Sequence, residues 1–331
     1  CLKYGLTLHN ISQLKVVSSE GELLTMGASG YDAAGYDFLA LMTGSEGLLG
    51  IIVEVTVKLL PIPELRQVIL ASFDAVTRAA QTVSDIFTAG IIPAGLELMD
   101  TLAIKAAEDF VHAGYPVDAA AILICELDGT LAEVQATTAQ VTKLLTIGGA
   151  VKVKVSKDEA EAQLFWKGRK AAFPAVGRIS PDYYCMDGTI PRRRLPEVLS
   201  HIAELSEKYQ LAVANVFHAG DGNLHPLILY DANKPNQLEK TEQFGAEILK
   251  ACIDVGGTIT GEHGVGIEKI DQMCYQFSQK EINMFHAVKY SFDSEGLLNP
   301  GKAIPTLHRC AELGAMHVHN GELPFPELDR F

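Results

Sequence analysis

The sequence has no surplus of positive charge. Its 331 residues carry 27 Lys and Arg against 41 Asp and Glu, a formal charge of −14. That balance argues against a general nucleic-acid or anionic-membrane surface, and it makes any local basic cluster conspicuous. No apolar run is both long and uncharged enough to span a bilayer. The longest, "GLLGIIVEVTVKLLPIP" (residues 47–63), is broken by Glu54 and Lys58 and ends in prolines, so it reads as strand. The six cysteines (Cys1, Cys125, Cys185, Cys252, Cys274 and Cys310) form no C-x-x-C pair, and no signal-peptide pattern occurs. The expectation is a reducing, cytoplasmic setting. Neither a Walker loop nor a G-x-G-x-x-G is present, so nothing indicates an NTPase or a nicotinamide enzyme.

What is present is ample material for a core, since 48 % of the residues are apolar and no segment is of low complexity. The length fits two domains, or one with part of another. Residues 1–62 alternate short apolar runs with glycine-rich turns, and Pro61 and Pro63 mark a boundary. Over 63–304 the texture becomes strand–helix alternation, with helical patterns at 75–89, 101–113, 131–147, 192–209 and 237–254. Two rounds of β-α-β-β-α-β predict an α+β fold with ferredoxin-like halves and a largely antiparallel sheet. Residues 305–331, which hold His308, Cys310, His317 and His319, have no clear period and read as a tail draped over the body. Their spacing matches no zinc pattern, and packing is the expected role of these side chains.

Within this frame, "VFHAGDGNLHPLILYD" (residues 216–231) places two histidines around an Asp221-Gly222 turn signal. A two-residue hairpin turn there pairs His218 with His225 across the ladder. Directly opposed residues hold their Cβ atoms roughly 4.5–5.5 Å apart on one face, within reach of a single metal ion. A histidine pair that merely stacks inside a sheet is the structural alternative. Further on, "GGTITGEHGVGIEK" (residues 256–269) brackets Glu262 and His263 with glycines, the sign of a tight turn or a close ligand. Alone it is equally a solvated surface turn. Two histidines with one carboxylate is a common divalent site with open positions, and His263 would then be free to act as general base.

Two more stretches carry candidates. In "TGSEGLLGIIVEV" (residues 43–55), Gly44, Gly47 and Gly50 recur every third residue before a β-branched strand. Such a loop can bring backbone N–H groups against a flat cofactor or a phosphate, though glycine-rich turns before strands are ordinary. In "FWKGRKAAFPAVGR" (residues 165–178), Lys167, Arg169, Lys170 and Arg178 stand out against the acidic background. Arg169 can clamp a substrate carboxylate, or the run is a solvated helix face. "PRRRLPE" (residues 191–197) reads as a helix start with exposed charge.

Taken in order, "TGSEGLLGI", "HAGDGNLH", "GEHGVG" and "LLNPGK" resemble the FAD-linked 2-hydroxyacid dehydrogenases of the vanillyl-alcohol-oxidase flavoprotein superfamily. "GRISPDYYCMDGTIPRR" and the tail are similar in particular to the flavin subunits of bacterial glycolate oxidases. The resemblance spans the chain. It implies that His218, His225 and Glu262 are ligands of a divalent metal of zinc or manganese type, that His263 is the base, and that Arg169 binds the substrate carboxylate. It also implies that Gly44, Ser45, Glu46, Gly47, Gly50 and Ile51 line FAD, with Asn299 near the flavin. Phe173 stands where some relatives have a hydroxyl side chain, and Cys185 where 2-hydroxyglutarate relatives have a lysine. Both changes imply a smaller, less charged pocket, suited to a short 2-hydroxy acid such as glycolate. The pyrophosphate-binding half of the FAD domain has no counterpart, so the chain resembles the C-terminal two-thirds of such proteins. On its own it is then expected to lack FAD while still binding metal. Companion subunits, one with iron–sulfur clusters, are implied as electron acceptors at the inner membrane. A two-His-one-carboxylate oxygenase or hydrolase, and a non-catalytic module, are the rival readings.

Overall fold

β-Branched and apolar runs bounded by Gly, Pro and Asp form ten strands in the computed structural model, which describes residues 1–28, 30 and 35–305. The expected tail, apart from Pro305, lies outside the described residues. The chain divides into two units: Cys1–Asn10 with Lys58–His263, and Ile11–Val57 with the segment from Gly264 on. This differs from the sequence-based division at 62 and 304 in where it places the first ten residues and the segment after His263.

In the second unit, β1 (Ile11–Val17), β2 (Leu23–Gly27) and β3 (Ile51–Val57) form an antiparallel sheet in the order β2-β1-β3. Long-range bonds explain why the later segment joins it. The Glu46 carboxylate accepts the N–H groups of Val265 and Gly266, each at 2.8 Å. Lys289 donates to the carbonyls of Leu48 (2.8 Å) and Leu298 (2.7 Å). The middle strand buries Ile11, Leu14 and Val16, whereas every residue of β3 is exposed although five of its seven side chains are Ile or Val.

The first unit is built on seven strands: β4 (Leu65–Phe73), β5 (Gly95–Asp100), β6 (Ala121–Gly129), β7 (Lys152–Val155), β8 (Asp182–Cys185), β9 (Val213–Phe217) and β10 (Pro226–Tyr230). Their spatial order is β7-β4-β6-β5-β9-β10-β8, with every neighbouring pair antiparallel. The first four follow the ferredoxin-like order, as the repeated pattern predicts. The second half stops at three strands, and an isolated bridge between Thr189 and Thr258 stands where a fourth would be. The segment 258–263 therefore leaves the ladder just where Glu262 and His263 occur.

Both faces of the sheet are covered, which is why β4 and β6 read as continuous apolar runs. One face packs Ile69, Phe73, Leu98 and Leu123 with side chains of the helices Val76–Thr88, Leu131–Ile147 and Leu195–Tyr209. The other packs Val68, Met99 and Val216 with the helices Thr101–Val111 and Glu159–Val176. Helix starts obey local capping: Asp100, Thr130 and Asp158 each accept a first-turn N–H.

A candidate metal centre beside a buried arginine

Strand parity assembles the site. On β5, Leu96 and Leu98 point to one layer and Met99 to the other, so Glu97 shares the face of Met99. β5 and β9 pair with Leu98 opposite Phe217 and Met99 opposite Val216, and the same register continued sets Glu97 against His218. Their side chains meet: His218 Nδ1 lies 2.8 Å from Glu97 Oε1. This is the face covered by the Glu159–Val176 helix, from which Arg169 reaches Glu97 Oε2 with its Nε at 2.9 Å.

The hairpin differs from the expected one. β9 and β10 pair Asn215 with Pro226, and the bridge above them joins His218 to Asn223, not to His225. The register is shifted by two because the loop has four residues, Ala219–Gly222. The His218 carbonyl accepts both Asp221 N–H and Gly222 N–H, at 3.1 Å each. Of the two expected turn residues only Gly222 has positive φ, 74°. Its missing Cβ leaves room for the Ile190 carbonyl, which would lie 2.1 Å from that atom. Arg192, an expected surface charge, donates to the Gly220 carbonyl at 2.9 Å and anchors the loop. An even shift keeps both imidazoles on one face, and their centroids are 5.2 Å apart.

Glu262 completes the cluster. Its Oε1 lies 3.1 Å from His225 Nε2 and 3.5 Å from His218 Nε2. One ligand atom from each of His218, His225 and Glu262 falls within 4.8 Å of the others, the spread that a single divalent ion can bridge. Burial pushes the pKa of His225 down to about 3, with the charges of His218 and His263 adding to the effect. His225 is therefore neutral near pH 7, as a ligand must be. Neither of its ring nitrogens has a hydrogen bond among the described residues, despite the proximity of Glu262. Buried imidazole nitrogens are seldom left this way, and a metal would satisfy one of them. The hydrogen bond to Glu97 raises the pKa of His218, against the opposing pull of burial.

Three placements were not readable from local sequence. Glu97 sits in an apolar strand, buried. Asp187, fully buried, gathers on Oδ2 the N–H groups of Gly261 (3.2 Å), Glu262 (2.9 Å) and His263 (2.6 Å), which fixes the turn that presents both side chains. Asn223 packs so closely on Gly261 that a Cβ there would lie 2.5 Å from its amide. Arg169 itself is buried, which excludes the solvated-face reading for it, while its neighbours Lys167 and Lys170 are exposed. Phe173 meets His225 edge-on at 6.0 Å, and Cys185 is half-buried on β8.

The residues expected to line FAD belong to the second unit. Gly44, Glu46 and Gly47 all have positive φ, so the backbone of the loop is tightly wound. Asn299 donates its side-chain N–H to the Glu46 carbonyl at 2.6 Å. Ser45 approaches Met42 Sδ at 3.6 Å, and Gly50 fits against Val16, where a Cβ would lie 2.4 Å away. Ile51 opens the exposed strand β3.

The seven-stranded antiparallel sheet with helices on both faces defines an α+β fold. The fold matches p-cresol methylhydroxylase with TM-score 0.72 at 15 % identity, covering 92 % of this chain and 67 % of that one. It matches alkyldihydroxyacetonephosphate synthase with TM-score 0.64 at 16 % identity, covering 91 % and 55 %. Residues 62–303 match the family "FAD linked oxidases, C-terminal domain", and the chain belongs to that family. It is 63 % identical over its whole length to the glycolate oxidase subunit GlcD of Escherichia coli K12, spanning 66 % of that protein. The GlcD of Bacillus subtilis is 39 % identical over 91 % of this chain and 64 % of its own. A mitochondrial D-lactate dehydrogenase (cytochrome) of Arabidopsis thaliana is 31 % identical over 93 % and 54 %. The chain thus spans about two thirds of the length of its more similar relatives.

Proposed function

We propose that this chain is the substrate-side portion of an FAD-dependent 2-hydroxyacid dehydrogenase that oxidises glycolate, or a similar short D-2-hydroxy acid, to the 2-oxo acid. The observation that carries the reading is the convergence of His218, His225 and Glu262 beside a buried Arg169. Two imidazoles and a carboxylate suit zinc or manganese. When bound, the ion would supply Lewis acidity and FAD would supply the hydride acceptor. Arg169 engages Glu97 through Nε, and its two terminal nitrogens have no hydrogen-bond partner among the described residues, which suits them to a carboxylate. His263, half-exposed and 3.7 Å from Glu262 Oε1 through Nε2, takes the hydroxyl proton at a ring nitrogen. Phe173 and Cys185 would make the pocket smaller and less charged, which suits a short 2-hydroxy acid.

In the second unit the wound loop Gly44–Gly50, Ile51 and Asn299 would line FAD, and the apolar surface of β3 suits a flat ring system or further protein. Electrons would pass to companion subunits, one of them bearing iron–sulfur clusters. Among the described residues no helix is long and apolar enough to cross a membrane. We place the protein in the cytoplasm, held near the inner membrane through those subunits. Anaerobic addition of glycolate to the full-length flavoprotein tests the proposal: the yellow absorbance bleaches, and chelation of the metal prevents it. Persistent colour with glycolate and D-lactate alike would overturn it.

A further inference from the structure

Glu97 is a buried carboxylate on the site's face of the sheet to which the reading above gives no role of its own. Its side chain is 7 % exposed, and both of its oxygens are engaged: Oε1 by His218 Nδ1 at 2.8 Å, Oε2 by Arg169 Nε at 2.9 Å. We propose that Glu97 is a positioning residue that ties a metal ligand to the substrate clamp, so that the cation site and the carboxylate site are set by one side chain. The inference rests on the metal-centre reading and deepens it.

The argument is one of donors and acceptors. An ionised carboxylate has no proton to give, so His218 must donate from Nδ1. The ring's lone pair is then on Nε2, the atom that faces Glu262 Oε1. The same carboxylate holds the planar guanidinium by its inner N–H and leaves the outer fork free. Its two partners lie 121 and 72 residues away in sequence, just past the end of a neighbouring strand and on the covering helix. Only a residue with two acceptors can serve both. Glutamine has one acceptor and one donor. If its carbonyl takes Arg169 Nε–H, its amide N–H faces His218 Nδ1 and forces the proton to Nε2, which removes the ligating lone pair. If it turns the other way, two donors face each other at Arg169. Outer partners that orient metal-bound histidines commonly change affinity by about 10–100-fold when replaced.

The test compares wild type, Glu97→Gln and Glu97→Asp in the purified protein, with Zn²⁺ and Mn²⁺ titrations by calorimetry and the glycolate KM of the holoenzyme at saturating metal. Glu97→Gln should weaken metal binding by about 10-fold or more and raise the glycolate KM as well. Glu97→Asp keeps the charge but withdraws it by one methylene, and should fall between the two on both readouts. A residue that only stabilises the fold would lower the melting temperature and leave metal affinity unchanged, and that result overturns the proposal. Should Glu97→Gln fail to fold, Glu97→Asp decides alone, with unchanged metal affinity again the overturning result. If wild type takes up neither ion, the metal-centre reading itself fails. If wild type binds metal and Glu97→Gln binds it equally, only the positioning role falls.

Discussion

The imidazoles of His225 and His263 stack face to face, with centroids 4.9 Å apart and ring planes 12° from parallel. The inner ring is buried and neutral, while the outer ring is half-exposed and borders Glu262 and Asp187. The stack sets the outer imidazole beside His225 and Glu262 without making it one of the cluster of three. The two residues therefore separate on mutation. His263→Ala should leave the metal content of the full-length protein unchanged and lower flavin reduction by about 10²–10⁴-fold, read by elemental analysis and anaerobic stopped-flow. Loss of metal would reassign His263 as a ligand.

Arg169 and Glu97 are 8 % and 7 % exposed, so Arg169→Ala leaves a buried carboxylate without its cation. Breaking such a pair costs about 3–5 kcal/mol. Denaturant unfolding should show that loss, and the glycolate KM should rise together with it. Arg169→Lys should restore part of the stability but little of the KM, since an ammonium cannot reproduce the fork. A KM equal to wild type in Arg169→Ala would remove the residue from the site.

Asp187→Ala withdraws the acceptor of the Glu262 and His263 N–H groups. Hydrogen bonds to a buried charge are worth about 1.5–3 kcal/mol each. Amide exchange at residues 262 and 263 should accelerate, and metal affinity should fall although no ligand has been changed. Unaltered exchange at those amides would show that the turn is held by other means.

Gly222 and Gly256 both have positive φ, but only at Gly222 would a Cβ strike backbone, the Ile190 carbonyl. Alanine at either costs on the order of 1 kcal/mol in backbone strain. Gly222→Ala should exceed Gly256→Ala in thermal destabilisation and should alone weaken metal binding. Equal melting temperatures would mean that the hairpin loop adjusts freely.

On β3 every side chain is exposed, and among the described residues the strand has one unpaired edge. Apolar edges of this kind invite pairing between molecules. The 331-residue chain should self-associate with rising concentration in sedimentation runs, and Val53→Lys, at a position 56 % exposed, should reduce it. An unchanged distribution would place the contact elsewhere.

The residues themselves determined what depends on short range. The capping residue and amphipathic spacing bound the helix at 131–147, and the helix at 237–254 begins and ends where its pattern does. Period-two alternation sets His218 and His225 on one face in the expected register and in any register an even number of residues from it, the observed one included. The glycines around Glu262 and His263 marked a turn worth attention. The register did not follow, because the loop is held by Leu96, Ile190 and Arg192, which no local turn rule contains. Nor did Glu97 and Asp187. Glu97 within "GLELMD" and Asp187 within "YYCMDGTIP" have the same local pattern whether they face solvent or a buried partner. For Glu97 the partner is decided by a strand register and a helix arriving from 121 and 72 residues away, and that pairing exists only once both apolar faces of the sheet are packed.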